Sequence, residues 1–235
     1  MIRKFYSLSI TAILTFIFGS LAIISSFIPK VTVNNSYIFG HWWARSLLFM
    51  GGVKYNVKGI EKIDYNKPTV VMCTHRSHFD ILGLMSSTRH PVSFIAKQEL
   101  RKIPIFGYSL ECLGMVYLDR SSKEAARNSI TKAANQIKEG RIVVMFPEGT
   151  RSEDGKTLQS LKKGGFHLIK EAGGYIQPIT VLGTERALKK GSLTITPTTI
   201  TVRYGEPFAV DDKDSIENLM EKTRESLQKL VTQGE

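Results

Sequence analysis

From Phe5 to Ile28 the chain carries no charged side chain. A run of about 24 such residues makes a helix roughly 36 Å long, enough to cross a hydrocarbon core of about 30 Å. Arg3 and Lys4 precede it, and Pro29 and Lys30 end it. Its end, Ser25-Ser26-Phe27-Ile28-Pro29, lacks the small-x-small pattern of a signal-peptide cleavage site, so a retained anchor is expected. A second apolar segment, Tyr37 to Met50, is shorter and begins with His41, Trp42, Trp43 and Arg45, a composition suited to the headgroup region. Three arrangements stay open. The first helix spans and the second lies in the interface, or both form a hairpin embedded from one face, or the second is an ordinary core helix. Basic residues flank the first helix on both sides, so charge does not fix its orientation.

After Gly51-Gly52 the pattern changes. Short β-branched runs at 68–73, 92–96, 115–118, 141–146 and 176–182 read as strands, with helical stretches at 79–88, 98–111, 122–139 and 160–172 between them. This alternation predicts an α/β fold with a mixed, mostly parallel sheet flanked by helices. Residues 191–207, rich in Thr, Ile and Val, suggest late strands, and an amphipathic helix over 214–232 closes the chain. The expected organisation is a membrane-associated helical element at 1–52 followed by one α/β domain at 53–235. The formal charge of +11, from 32 basic and 21 acidic residues, calls for an anionic partner. A nucleic-acid partner is disfavoured by the anchor and by the lack of a basic-aromatic stripe. Cys73 and Cys112 sit in apolar contexts and read as buried thiols of a domain facing the cytoplasm.

Chemistry concentrates where the strands end. His75 and Asp80, in Thr74-His75-Arg76-Ser77-His78-Phe79-Asp80, follow the first buried strand. Imidazole is largely neutral at pH 7 and can act as a base, and a carboxylate on its other nitrogen fixes the tautomer. An offset of five positions within one helix would place the two about 140° apart. His75 therefore belongs to the turn before the helix and Asp80 to its first turns. Arg120 ends the strand of 115–118, and its planar fork suits phosphate oxygens. Phe146-Pro147-Glu148-Gly149-Thr150-Arg151-Ser152 ends another strand. There Gly149 permits a tight turn, Arg151 supplies charge, and Glu148 is expected to bond a hydroxyl or orient Arg151. Lys97 ends the strand of 92–96 at the same sheet edge. The stretch from Gly149 to Gly155-Lys156-Thr157 has five residues between its glycines where a P-loop needs four, so nucleotide hydrolysis is not expected. His78 lacks further ligands at metal spacing, and Cys73 reads as a core residue rather than a nucleophile.

Together these residues resemble the 1-acyl-sn-glycerol-3-phosphate acyltransferase family. Its four blocks match His75 to Asp80, Gly114 to Arg120, Phe146 to Ser152 and Tyr175 to Val181. Thr74 replaces the usual asparagine before the first block, and Gln177 and Thr180 are more polar than the fourth block usually is. The resemblance implies an enzyme that moves an acyl group from acyl-CoA or acyl carrier protein to the 2-hydroxyl of lysophosphatidate, giving phosphatidate. His75 would be the base and Asp80 its partner. Lys97, Arg120 and Arg151 would hold the phosphate in a site shaped by Glu148, Gly149 and Thr150. No metal or bound cofactor is implied. The expected location is the cell inner membrane, with the α/β domain in the cytoplasm. Related acceptors, or lipid binding without catalysis, are the alternatives.

Overall fold

A computed structural model describes residues 2–119, 121–152 and 157–232. The apolar run forms helix α1 (Ile2–Ser26), and a capping box then starts α2 (Val33–Met50). In that box Thr32 Oγ1 accepts the Asn35 amide while Asn35 Oδ1 accepts the amide of Thr32. The two helices run antiparallel. Ser25 and Ser36 hydroxyls meet at 2.9 Å, Trp43 Nε1 donates to Thr15 Oγ1, and the Tyr6 hydroxyl donates to the Met50 carbonyl. The pair forms a helical hairpin whose inner helix also joins the domain core. Tyr37, Ala44, Leu47 and Leu48 of α2 are buried, and Gly40 allows close approach: a Cβ there would sit 2.5 Å from Met85 of α3 (Phe79–Ser87). The outer helix α1 leaves Phe5, Ile13, Phe16 and Ile24 exposed.

Eight strands form one sheet among the described residues: β1 (Val53–Lys58), β2 (Thr69–Cys73), β3 (Val92–Lys97), β4 (Val116–Leu118), β5 (Ile142–Met145), β6 (Gly174–Leu182), β7 (Thr198–Tyr204) and β8 (Phe208–Val210). The order is β1-β7-β6-β2-β5-β3-β4, with β8 beside the start of β6. From β6 to β4 all neighbours are parallel, while β7 and β8 are antiparallel to β6. Strand alternation divides the core. Val71 and Cys73 of β2 face the layer with α2 and α3. Val70 and Met72 face the layer with α5 (Lys123–Lys138), α6 (Gly164–Ala172) and α8 (Ile216–Thr232). The expected sheet and layers are present.

Three local expectations need correction. The helix predicted over 98–111 is a 3-10 turn, Gln98–Lys102, and a separate α4 (Phe106–Cys112). Pro104 separates them, because it lacks an N–H and holds Ile103 extended. Helix α6 begins at Gly164 rather than 160, and residues 191–197 are not strand. Arg120 and the P-loop-like Gly155-Lys156 lie outside the described residues. At the opposite end of the domain, buried Arg141 bonds Ser93 Oγ, Asn34 Oδ1 and the Leu113 carbonyl, tying the base of the hairpin to the sheet. Near the hairpin's other end, Arg3 donates to the Ile195 carbonyl and Ser7 Oγ accepts the Ile195 amide. Thr196 then donates to the Ala187 carbonyl, in the short helix α7 (Thr184–Ala187).

Candidate active site

Strand register assembles the site. Met72 of β2 lies opposite Met145 of β5, so continuing both chains past the strand ends brings His75 beside Glu148. On the other flank Cys73 pairs with Ile179, and the next step puts Thr74 against Thr180, their hydroxyls 2.8 Å apart. Parallel strands place all these turns at one carboxyl edge, the usual position for an α/β site.

His75 Nδ1 is 2.9 Å from Asp80 Oδ2. Asp80 sits in the first turn of α3, as its spacing required, and its side chain is fully buried. Burial is tolerated because four donors among the described residues reach this carboxylate. Oδ2 accepts from His75 and from the amides of Arg76 (2.7 Å) and Ser77 (2.9 Å), and Oδ1 accepts from Thr184 Oγ1. That set matches the lone pairs of an ionised carboxylate. Asp80 thus takes the Nδ1 proton's bond, and Nε2 keeps its lone pair, with no hydrogen-bond partner among the described residues. The ring stacks on Phe146 with centroids 4.0 Å apart and retains 16% exposure.

Glu148 bonds the protein's own backbone through both oxygens. Oε1 accepts the His75 amide at 2.7 Å and Oε2 the Gln159 amide at 2.8 Å. Ser152 N completes the staple by donating to the His75 carbonyl at 2.8 Å. Burial pushes the Glu148 carboxyl above its ordinary value, against the pull of both amides. Gly149 adopts φ +69, which an L side chain rarely does. Gly149 and Thr150 are exposed and Arg151 is half-buried. Lys97, exposed at the end of β3, and Arg151 both act on His78: desolvation, then the charges of Arg151, His75 and Lys97, lower its pKa. Both cations therefore lie on the side of the site where His78 is. Cys73 is fully buried and its thiol is pushed well up, as a core residue's would be. No group of three or more metal-ligating side chains occurs among the described residues.

The structure thus brings together His75, Asp80 and Glu148 by direct bonds, with Gly149, Thr150 and Arg151 following Glu148 in its turn and Lys97 at the end of β3. Sequence reasoning missed Phe146 as the platform of the ring, though it begins the third block. It also missed Thr184, which no motif marks, and buried Arg76, whose charge helps to hold down the pKa of Glu148.

A histidine–carboxylate pair at the carboxyl edge of an α/β sheet is an arrangement that can activate a hydroxyl. The chain belongs to the acyltransferase family, whose model matches residues 54–182, more than half of its length. It is similar to the 1-acyl-sn-glycerol-3-phosphate acyltransferase of Cocos nucifera, 32% identical over 185 residues, 78% of this chain and 59% of that protein. It is also similar to the protein of that name from Pseudomonas aeruginosa, 32% identical over 171 residues, 70% of this chain and 64% of the relative. The chain thus spans about three fifths of the length of these curated relatives. Among solved structures it resembles the 1-acyl-sn-glycerophosphate (LPA) acyltransferase, PlsC, from Thermotoga maritima. That match has a TM-score of 0.85 and 25% identity, and covers 99% of this chain and 94% of that one.

Proposed function

We propose that this protein moves a fatty acyl group from an acyl thioester to the 2-hydroxyl of lysophosphatidate, forming phosphatidate. The observation that carries the reading is the His75–Asp80 pair, with Nε2 unpartnered among the described residues, at the carboxyl edge of the sheet in a chain whose relatives bear that activity's name. His75 Nε2 takes the hydroxyl proton, and the alkoxide attacks the thioester carbonyl. The tetrahedral oxyanion collapses, expelling the carrier thiolate, which recovers the proton from His75. A positioned base contributes roughly 10²–10⁴ in rate. Lys97, Arg151 and Arg120 hold the phosphate in a site shaped by Gly149 and Thr150. Glu148 braces the backbone that carries the base. The thioester is already activated, so the reaction calls for no metal or bound cofactor. Either acyl-CoA or acyl carrier protein delivers the same bond.

Helix α1 is long and apolar enough to cross a membrane, and its side chains are mostly exposed. In this reading α1 sits in the cell inner membrane, where acceptor and product reside, and the α/β domain faces the cytoplasm and the water-borne donor. The test is thiol release from each long-chain thioester by protein in detergent, with lysophosphatidate as acceptor and the product identified by mass. Phosphatidate formed by the wild type and not by His75→Ala supports the reading. Transfer to glycerol-3-phosphate or another lysolipid, with none to lysophosphatidate, overturns the acceptor, and no thioester consumption overturns the activity.

A further inference from the structure

We infer that Thr184 is a positioning residue for the reaction: its hydroxyl fixes the rotation of the Asp80 carboxylate and so aims the base. This rests on the acyl-transfer reading given above. Thr184 lies beyond the four sequence blocks and 104 positions from Asp80, yet its Oγ1 is 2.5 Å from Asp80 Oδ1. The other acceptor within reach of this hydroxyl among the described residues, the Val181 carbonyl, is 3.4 Å away, so the single hydroxyl proton goes to the carboxylate. The distribution of donors over the two oxygens gives this bond its meaning. His75 Nδ1 and the amides of Arg76 and Ser77 all converge on Oδ2. Thr184 is the one donor on Oδ1 among the described residues. With Oδ1 committed to it, the carboxylate cannot turn about its Cβ–Cγ bond without breaking a buried bond, and Oδ2 stays in line with the ring.

Local structure is built to hold this hydroxyl. Gly183, just before it, adopts φ +86, and a Cβ there would lie 2.7 Å from the Thr199 carbonyl, so a side chain would displace the turn. Thr184 itself is fully buried and starts α7. At the far end of that helix the Leu188 amide donates to the Thr184 carbonyl, and the Leu188 carbonyl accepts Ser77 Oγ at 2.7 Å. The segment after β6 therefore grips the His75–Asp80 turn twice, once at the carboxylate and once at Ser77.

The test compares Thr184→Val, Thr184→Ala and Thr184→Ser in detergent by steady-state kinetics and thermal unfolding. The Nδ1 proton of His75 is followed as a downfield NMR resonance, assigned by its loss in His75→Gln. Val and Ala should lower kcat about ten- to hundredfold while KM for donor and acceptor stays within about twofold. Both should weaken or shift the Nδ1 resonance, and Ser should restore kcat and resonance together. Should Val fail to fold, the Ser and Ala pair, which differ by the hydroxyl alone, carries the comparison. Equal losses in all three variants, or wild-type kcat with an unmoved resonance in Val or Ala, would overturn the inference. A wild type that transfers no acyl group defeats the functional reading instead, and the NMR comparison still decides whether Thr184 sets the pair.

Discussion

Replacing Glu148 by Gln keeps the shape of the side chain and removes its charge and one acceptor. Each carboxylate oxygen accepts a buried amide, from His75 at 2.7 Å and Gln159 at 2.8 Å. Gln offers one oxygen and one NH₂, so one of those amides must face another donor. An orphaned buried donor costs about 1–3 kcal/mol, and hydrogen bonds to a charged acceptor are worth about 1.5–3 kcal/mol each. Against this, burial disfavours the Glu148 charge, and Gln is free of that penalty. The net expectation is a loss of about 1–2 kcal/mol in stability, with a roughly tenfold loss of turnover because the His75 backbone loosens. The pH dependence supplies a further check. The folded pKa of Glu148 is raised by burial, so its contribution is fully present below the unfolded value near 4.3 and is lost as pH rises through the folded one. Gln titrates nowhere in this range, so the stability gap between wild type and Glu148→Gln should narrow as pH rises above about 4 and through the raised folded value. Denaturant unfolding in detergent at several pH values, beside turnover at pH 7, measures both. A Gln variant with wild-type stability and turnover would refute the bracing role, and a gap that widens with pH would refute the sign.

Asp80→Asn should lower kcat by roughly 10³–10⁴ by spoiling the tautomer of His75, with the fold retained by circular dichroism. Cys73→Ala should keep turnover within about threefold and cost about 1 kcal/mol for a small buried side chain, and native Cys73 should resist alkylation because burial holds its thiol protonated. Arg141→Leu should destabilise by roughly 2–4 kcal/mol in denaturant unfolding, since it strands Ser93, Asn34 and Leu113 acceptors around a buried site.

Most of what lies at the carboxyl edge was legible because it is local in sequence. His75 and Asp80 are separated by one turn, and the offset alone placed one before the helix and the other inside it. The parallel core strands announced themselves as β-branched runs, because both faces are buried. Edge strand β1 escaped notice, although Val53, Tyr55 and Val57 alternate with Lys54, Asn56 and Lys58. Its partner β7 is far along the chain, and a half-exposed strand shows its register only once that partner is known. The helix break at Pro104 was readable from the imino acid itself. The backbone bonds of Glu148 were not legible, because its spacing cannot reveal that two amides from separate segments close on it. Thr184 was invisible for the same reason: its partner is fixed by sheet register, not by proximity in sequence.

The grip of Arg3 and Ser7 on Ile195 gives the first helix an employment inside the domain itself. Ile195 is followed by Thr196, Thr196 is bonded to Ala187, and Ala187 closes the helix that Thr184 begins. A truncated protein freed of its first 26 residues for the sake of solubility would therefore lose the outermost stay of the scaffold behind Asp80. Purification would become easier, and turnover per molecule would fall even on substrates dispersed in micelles.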